Sequence, residues 1–184
     1  MLFSLLLVVG VIGIGVAMYG GAKIDAVENI IRSATPSQRT FHDSEFDISF
    51  RYPREWEHQY VSPNITLFSG EGASPTMTLV LAKRKDTETL QQFRERNLQE
   101  IQESAAGENE QIDIEPVQQV RLGELTADRF LYHAAHNSVP IDGVQVWAVN
   151  GKKEYIMTFA ARHDAFQTAV QAFDSVLKSV SIKQ

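Results

Sequence analysis

The run GVQVWAVNGKKEYIMTFAARHDAFQTAVQAFDSVLKSV, residues Gly143 to Val180, decides how this chain folds. Two β-rich segments, Val144–Val149 and Glu154–Ala161, flank Asn150-Gly151. Asn-Gly in that setting is a strong hairpin signal, because a type I′ turn needs positive φ at both central residues. After the hairpin, Phe166, Val170, Phe173, Leu177 and Val180 recur every three or four residues. That spacing predicts a helix over Asp164–Val180 with one apolar stripe. The rest of the chain must pair with the hairpin or support it.

Upstream, Phe46, Ile48, Phe50 and Tyr52 alternate with Asp47, Ser49 and Arg51. The period of two predicts a strand with one buried and one wet face, ended by Pro53, which cannot donate to a ladder. Ile65–Phe68 reads as a second strand. Met77–Ala82 is apolar on both faces, the mark of a central strand covered on both sides. Asp86 is a candidate cap for a helix running to about Ser104, with Leu90, Phe93, Leu98 and Ile101 on its inner side. Val117–Leu122, a turn at Gly123-Glu124 and Thr126–Ala135 complete the count of roughly seven strands. Consecutive hairpins make the sheet mostly antiparallel, and two amphipathic helices pack on it, giving an α+β class.

The N-terminus is of another kind. Residues 2–22, LFSLLLVVGVIGIGVAMYGGA, carry no charged side chain. As a helix they rise about 31 Å, enough to cross the hydrocarbon core of a bilayer. A cleaved signal peptide is the competing reading, but its apolar region is normally shorter and preceded by Lys or Arg. The segment is therefore read as a transmembrane helix or signal anchor over 1–22. A juxtamembrane amphipathic segment and linker follow over 23–39, and a globular domain over 40–184. Lys23, Arg32 and Arg39 favour a cytoplasmic C-terminal side when basic residues alone are counted.

The net charge is −6, and the first 34 residues hold two basic and two acidic side chains, so the domain carries the excess. An acidic domain repels phosphate backbones, so no nucleic-acid partner is expected. The 184 residues include no cysteine, which excludes disulfides, thiol catalysis and Cys-ligated zinc.

Motifs that carry chemistry are sparse. His133, His136 and Asp142 are a candidate metal set, but positions three apart on a strand face opposite sides. The two rings converge only if the strand breaks near Ala135. Glu108, Glu110, Asp113 and Glu115 lack the glycine and ligand spacing of a calcium loop. Gly-x-Ser-x-Gly and His-Glu-x-x-His are absent, so no catalytic residue is assigned and no cofactor is expected beyond a divalent metal at that candidate set. Trp56, His58 and Tyr60 are candidate binding residues, since amphipathic aromatics are enriched at interaction surfaces. For Tyr52 and Trp56 core packing is the stronger reading.

The strand Phe46-Asp-Ile-Ser-Phe-Arg-Tyr-Pro53 with Trp56, the strand Thr126–Tyr132, the hairpin at Asn150-Gly151 with Lys153 and Tyr155, and the closing helix with Phe166, Phe173 and Ser179 together resemble the PsbP-like family. This family includes the extrinsic oxygen-evolving-complex subunit of photosystem II and bacterial extracytoplasmic relatives. The resemblance covers about Phe46 to Val180. It implies an α/β/α sandwich around an antiparallel sheet, generally without catalysis, that docks on or assists membrane complexes. It also tilts the orientation toward an extracytoplasmic domain. The expectation is a single-pass, non-enzymatic accessory domain whose partners are the bilayer, through residues 2–22, and a membrane-associated protein. The alternative is a metal- or small-ligand-binding protein, with hydrolytic chemistry at His133, His136 and Asp142.

Overall fold

The computed structural model describes residues 37–70, 75–108, 112–136 and 139–183. The segments expected over 1–22 and most of 23–39 lie outside them. Among the described residues no helix is long and apolar enough to cross a membrane.

Eleven strands and two helices are described. In chain order they are β1 (Gln38–Asp43), β2 (Ile48–Pro53), β3 (Glu57–Ser62), β4 (Ile65–Ser69) and β5 (Thr76–Lys83), then α1 (Leu90–Glu108). There follow β6 (Ile112–Ile114), β7 (Gln118–Leu122), β8 (Leu125–His136), β9 (Val139–Asn150), β10 (Lys153–Arg162), α2 (His163–Lys178) and β11 (Ser181–Ile182). The large sheet has the order β3-β4-β5-β10-β9-β8-β6, with β7 also on β8; β1, β2 and β11 form a small one. Every described pairing is antiparallel. The α+β class and the mostly antiparallel sheet agree with the sequence.

Alternation along the central strands divides the core in two. Val144, Val146 and Ala148 of β9 and Tyr155, Met157 and Phe159 of β10 join Phe166, Phe173 and Val176 of α2. The small sheet adds Phe41, Ile48, Phe50 and Tyr52 to this cluster. Trp147 and Ile156, one residue out of step, join Phe130 and Tyr132 of β8 and Phe93 and Ile101 of α1. A strand presents successive side chains to opposite faces, so α1 and α2 lie on opposite faces of the large sheet. β5 feeds both clusters, through Leu79 to one and Val80 to the other, as expected of a strand covered on both sides.

Local chemistry corrects three expectations. Asn150 pairs with Lys153, so the loop is Gly151-Lys152, and Gly151 alone of the two has positive φ, +60°. That is the φ pattern of a type II′ turn with glycine first, not type I′. The helix α1 is capped by Thr89 rather than Asp86: Gln92 N donates to Thr89 Oγ1 at 3.2 Å, and Thr89 N donates to Gln92 Oε1 at 3.0 Å. Reciprocal bonds of this kind form a capping box. At the other end α2 stops at Lys178, and Ser179 Oγ donates to Val176 O at 2.7 Å while accepting from Arg51 N at 2.8 Å. Val180 thus lies beyond the helix, leading into β11.

Candidate functional site

Two places bring chemistry-bearing side chains together. The first is the outer edge of the large sheet. Among the described residues β3 pairs with β4 only, and its residues are exposed from Glu57 to Val61. His58 Nδ1 lies 3.0 Å from the Tyr52 hydroxyl. The His58 ring stands edge-on to Phe41, Tyr52 and Tyr60, each 5.9 Å away between centroids. Tyr60 is 66% exposed. Trp56 parts company with these two. It is 4% exposed and stacks against Phe159 at 6.4 Å, so it packs the core and is out of reach of a partner. Of the three aromatic candidates, the fold brings His58 and Tyr60 together on one strand and withdraws Trp56.

The second place lies where β8, β9 and α2 meet. His133 is directly across from Asp142 in the β8–β9 ladder. The Asp142 carboxylate uses one oxygen for each of two histidines. Oδ1 is 2.9 Å from His133 Nδ1, and Oδ2 is 2.8 Å from His163 Nδ1 at the first turn of α2. On its far side, His133 Nε2 is 3.3 Å from Glu115 Oε1. The result is a hydrogen-bonded chain Glu115–His133–Asp142–His163 across four parts of the fold. A histidine that donates from both ring nitrogens is an imidazolium. Accordingly the His133 pKa is raised, first by its bond to Asp142; burial opposes this, and the bond to Glu115 adds a smaller push upward.

The backbone of β8 continues unbroken to His136, so the strand has no break near Ala135. Among the described residues no group of three or more His, Asp or Glu side chains has a metal-holding arrangement. Sequence reading paired Asp142 with His133 but overlooked Glu115 and His163 as its neighbours. His163 follows the β10 strand that pairs Ala161 with Asp142, and only that register brings it close. Histidine is the side chain whose ordinary pKa lies nearest neutrality, and that of His133 is raised from it. The bonds of this chain of groups run to histidine and carboxylate partners, with no hydroxyl nucleophile among them.

The basic run Lys83-Arg84-Lys85 is structural in part. Lys83 Nζ donates to Glu45 at 2.8 Å, and Arg84 pairs with Glu154 at 3.1 Å. Arg96 also reaches Glu154, at 3.0 Å, and Glu88, at 3.0 Å, tying α1 to the sheet.

No curated protein matches the chain. Several solved structures share its fold. Cyanobacterial PsbP (CyanoP) from Synechocystis sp. PCC 6803 superposes with a TM-score of 0.66 at 13% identity, covering 89% of this chain and 98% of that one. LpqN, described as involved in cell envelope biogenesis of Mycobacterium tuberculosis, gives a TM-score of 0.56 at 15% identity, covering 86% and 97%. A Bacteroides thetaiotaomicron protein gives 0.60 at 10% identity, covering 82% of this chain and 50% of that one. At such identities the likeness speaks for the fold alone. The model of the PsbP-like protein family matches residues 1–182, and the chain belongs to that family.

Proposed function

We propose that this protein is a non-enzymatic accessory domain, tethered to a membrane by residues 2–22 and held outside the cytoplasm, that binds or stabilises a membrane or envelope complex. The observation that carries the reading is the charge-free apolar run of residues 2–22 ahead of a PsbP-like domain. A span of that length suits a bilayer core of about 30 Å. The envelope role stated for LpqN agrees with this placement. Carbonate extraction of membranes from the native host tests the tether. Retention in the pellet is expected, and release into the soluble fraction would refute a retained span. Protease protection of sealed vesicles then reads the side on which the domain lies.

A second reading, a metal- or small-ligand-binding protein with hydrolytic chemistry, has one observation in its favour: two imidazoles share the Asp142 carboxylate. Metal analysis of the purified protein beside its His133→Ala and Asp142→Ala variants distinguishes the two. Stoichiometric metal lost in both variants would favour the second reading.

A further inference from the structure

Among the described residues the exposed large hydrophobic side chains are Tyr60, at 66%, and Val61, at 41%, and they are consecutive on β3. The β3–β4 register shifts between Tyr60 and Ser62, so Val61 stands outside the ladder at a bulge. The same edge lies beside the point where residues 1–36 join the domain. Arg54 N donates to Ser37 O at 3.1 Å, and Gln38 pairs with Pro53, so the chain enters at the corner between β2 and β3. From that corner to Tyr60 the contacts are continuous. Arg39 lies across from Tyr52, the Tyr52 hydroxyl meets His58, and the His58 ring meets Tyr60.

We infer that this corner and the β3 edge form the face the domain turns toward the lipid bilayer, with Tyr60 and Val61 seated in the interfacial zone. The inference rests on the reading of residues 2–22 as a retained span. Residues 23–36 reach at most about 50 Å when fully extended, and less if any part is helical. The tether attaches at the entry corner, so that corner stays within this reach of the membrane, where the tether raises its effective concentration. Tyrosine suits the interface because its ring is apolar and its hydroxyl stays wet. A bulge and a charged residue such as Glu57 blunt an edge against strand addition. Thus β3 offers side chains to lipid more readily than backbone to a partner strand. Arg39 and Arg54 are exposed in the same corner as Glu55 and Glu57. Both signs are present, so the contact is apolar in character and does not require anionic lipid.

The absence of cysteine makes the test direct. Full-length protein carrying Tyr60→Cys or Val61→Cys, or Gln102→Cys on α1 or Thr168→Cys on α2 as exposed controls, is labelled with a nitroxide and reconstituted in phosphatidylcholine vesicles. The ratio of oxygen to nickel-chelate collision rates is then measured, together with flotation of the protein with the vesicles. At positions 60 and 61 the ratio is expected to be at least double that at 102 and 168, and to persist at high salt. Equal ratios at all four positions in protein that floats would overturn the lipid-facing edge while leaving the span intact. Loss of the difference at high salt would overturn its apolar character. Protein that fails to float would overturn the span and, with it, this inference.

Discussion

Tyr132 on β8 lies directly across from Gly143 on β9, and its ring occupies the space a side chain at 143 would need. A Cβ there would sit 2.0 Å from Tyr132 Cζ and 2.3 Å from its hydroxyl oxygen. Tyr132 is itself buried beneath α1 in the cluster with Phe93, Phe130 and Trp147, so the ring cannot swing away. Gly143→Ala is therefore expected to cost about 3 kcal/mol or more, at the upper end of overpacking effects. Urea unfolding measures it, and Gly143→Ala in a Tyr132→Leu background should lose much less.

The Tyr132 hydroxyl is enclosed without a hydrogen-bond partner among the described residues. Burial first, and the nearby Asp142 charge second, raise its pKa, so the hydroxyl stays neutral. A buried polar group with no partner costs free energy, so Tyr132→Phe is expected to be neutral or stabilising by about 1 kcal/mol. A clear loss of stability would show that the hydroxyl has a partner, such as a bound water.

Thr89 and Gln92 satisfy each other's amide groups at the start of α1. Thr89→Ala should lower stability by about 1 kcal/mol, the usual cost of losing an N-cap. Asp86→Ala should change it by less than half as much, since Asp86 is not the capping residue. The two variants compared in one chemical denaturation series separate these assignments.

Arg94 Nη1 is 3.2 Å from Asp128 Oδ2, and the Asp128 side chain is wholly enclosed. Desolvation raises the Asp128 pKa, and Arg94 partly offsets it. Arg94→Met leaves a buried carboxylate without its counter-charge and should cost about 2–3 kcal/mol, below the range for fully buried pairs because Arg94 is partly exposed. The double variant Arg94→Met with Asp128→Asn should recover most of that loss. The single variant should also regain stability as pH falls and Asp128 is protonated.

The raised pKa of His133 within the Glu115–His133–Asp142–His163 chain makes stability depend on pH. His133 has a raised pKa in the folded state, so its contribution is fully present below the unfolded histidine value of about 6.5 and is lost as pH rises through the folded value. The ring is nearly half exposed, and solvent screening holds the effect below about 1 kcal/mol. His133→Gln should flatten the stability profile as pH rises above the unfolded histidine value of about 6.5. An NMR titration placing His133 at or below the ordinary histidine range would contradict this account.

Much of the architecture was legible because periodicity is a local property. The alternation at Phe46 to Tyr52, the two-faced run at Met77 to Ala82 and the stripes of α1 and α2 follow from which residues are apolar, whatever they finally touch. The elements missed were those whose reason lies elsewhere in the fold. β1, β3, β6 and β11 are edge or short strands, and each is held by a neighbour distant in sequence or by a tight turn. β11 exists because Ser181 and Ile182 meet Ser49 and Ile48. No pattern in SVSIKQ announces that pairing.

The candidate site divides in the same way. Sequence supplied the residue types, His133 beside Asp142 and His58 beside Tyr60, together with an apolar segment long enough for a bilayer. Only the tertiary structure sorted them. Trp56 went into the core because β3 starts at the corner that packs on Phe159. His163 and Glu115 came to the ends of the Asp142 chain through strand register. The tight packing of Tyr132 onto Gly143 is likewise a product of register, since a one-residue slip would carry each side chain to the opposite face. Periodicity is written along the chain; register, burial and the company a side chain keeps are set only when distant segments close on one another.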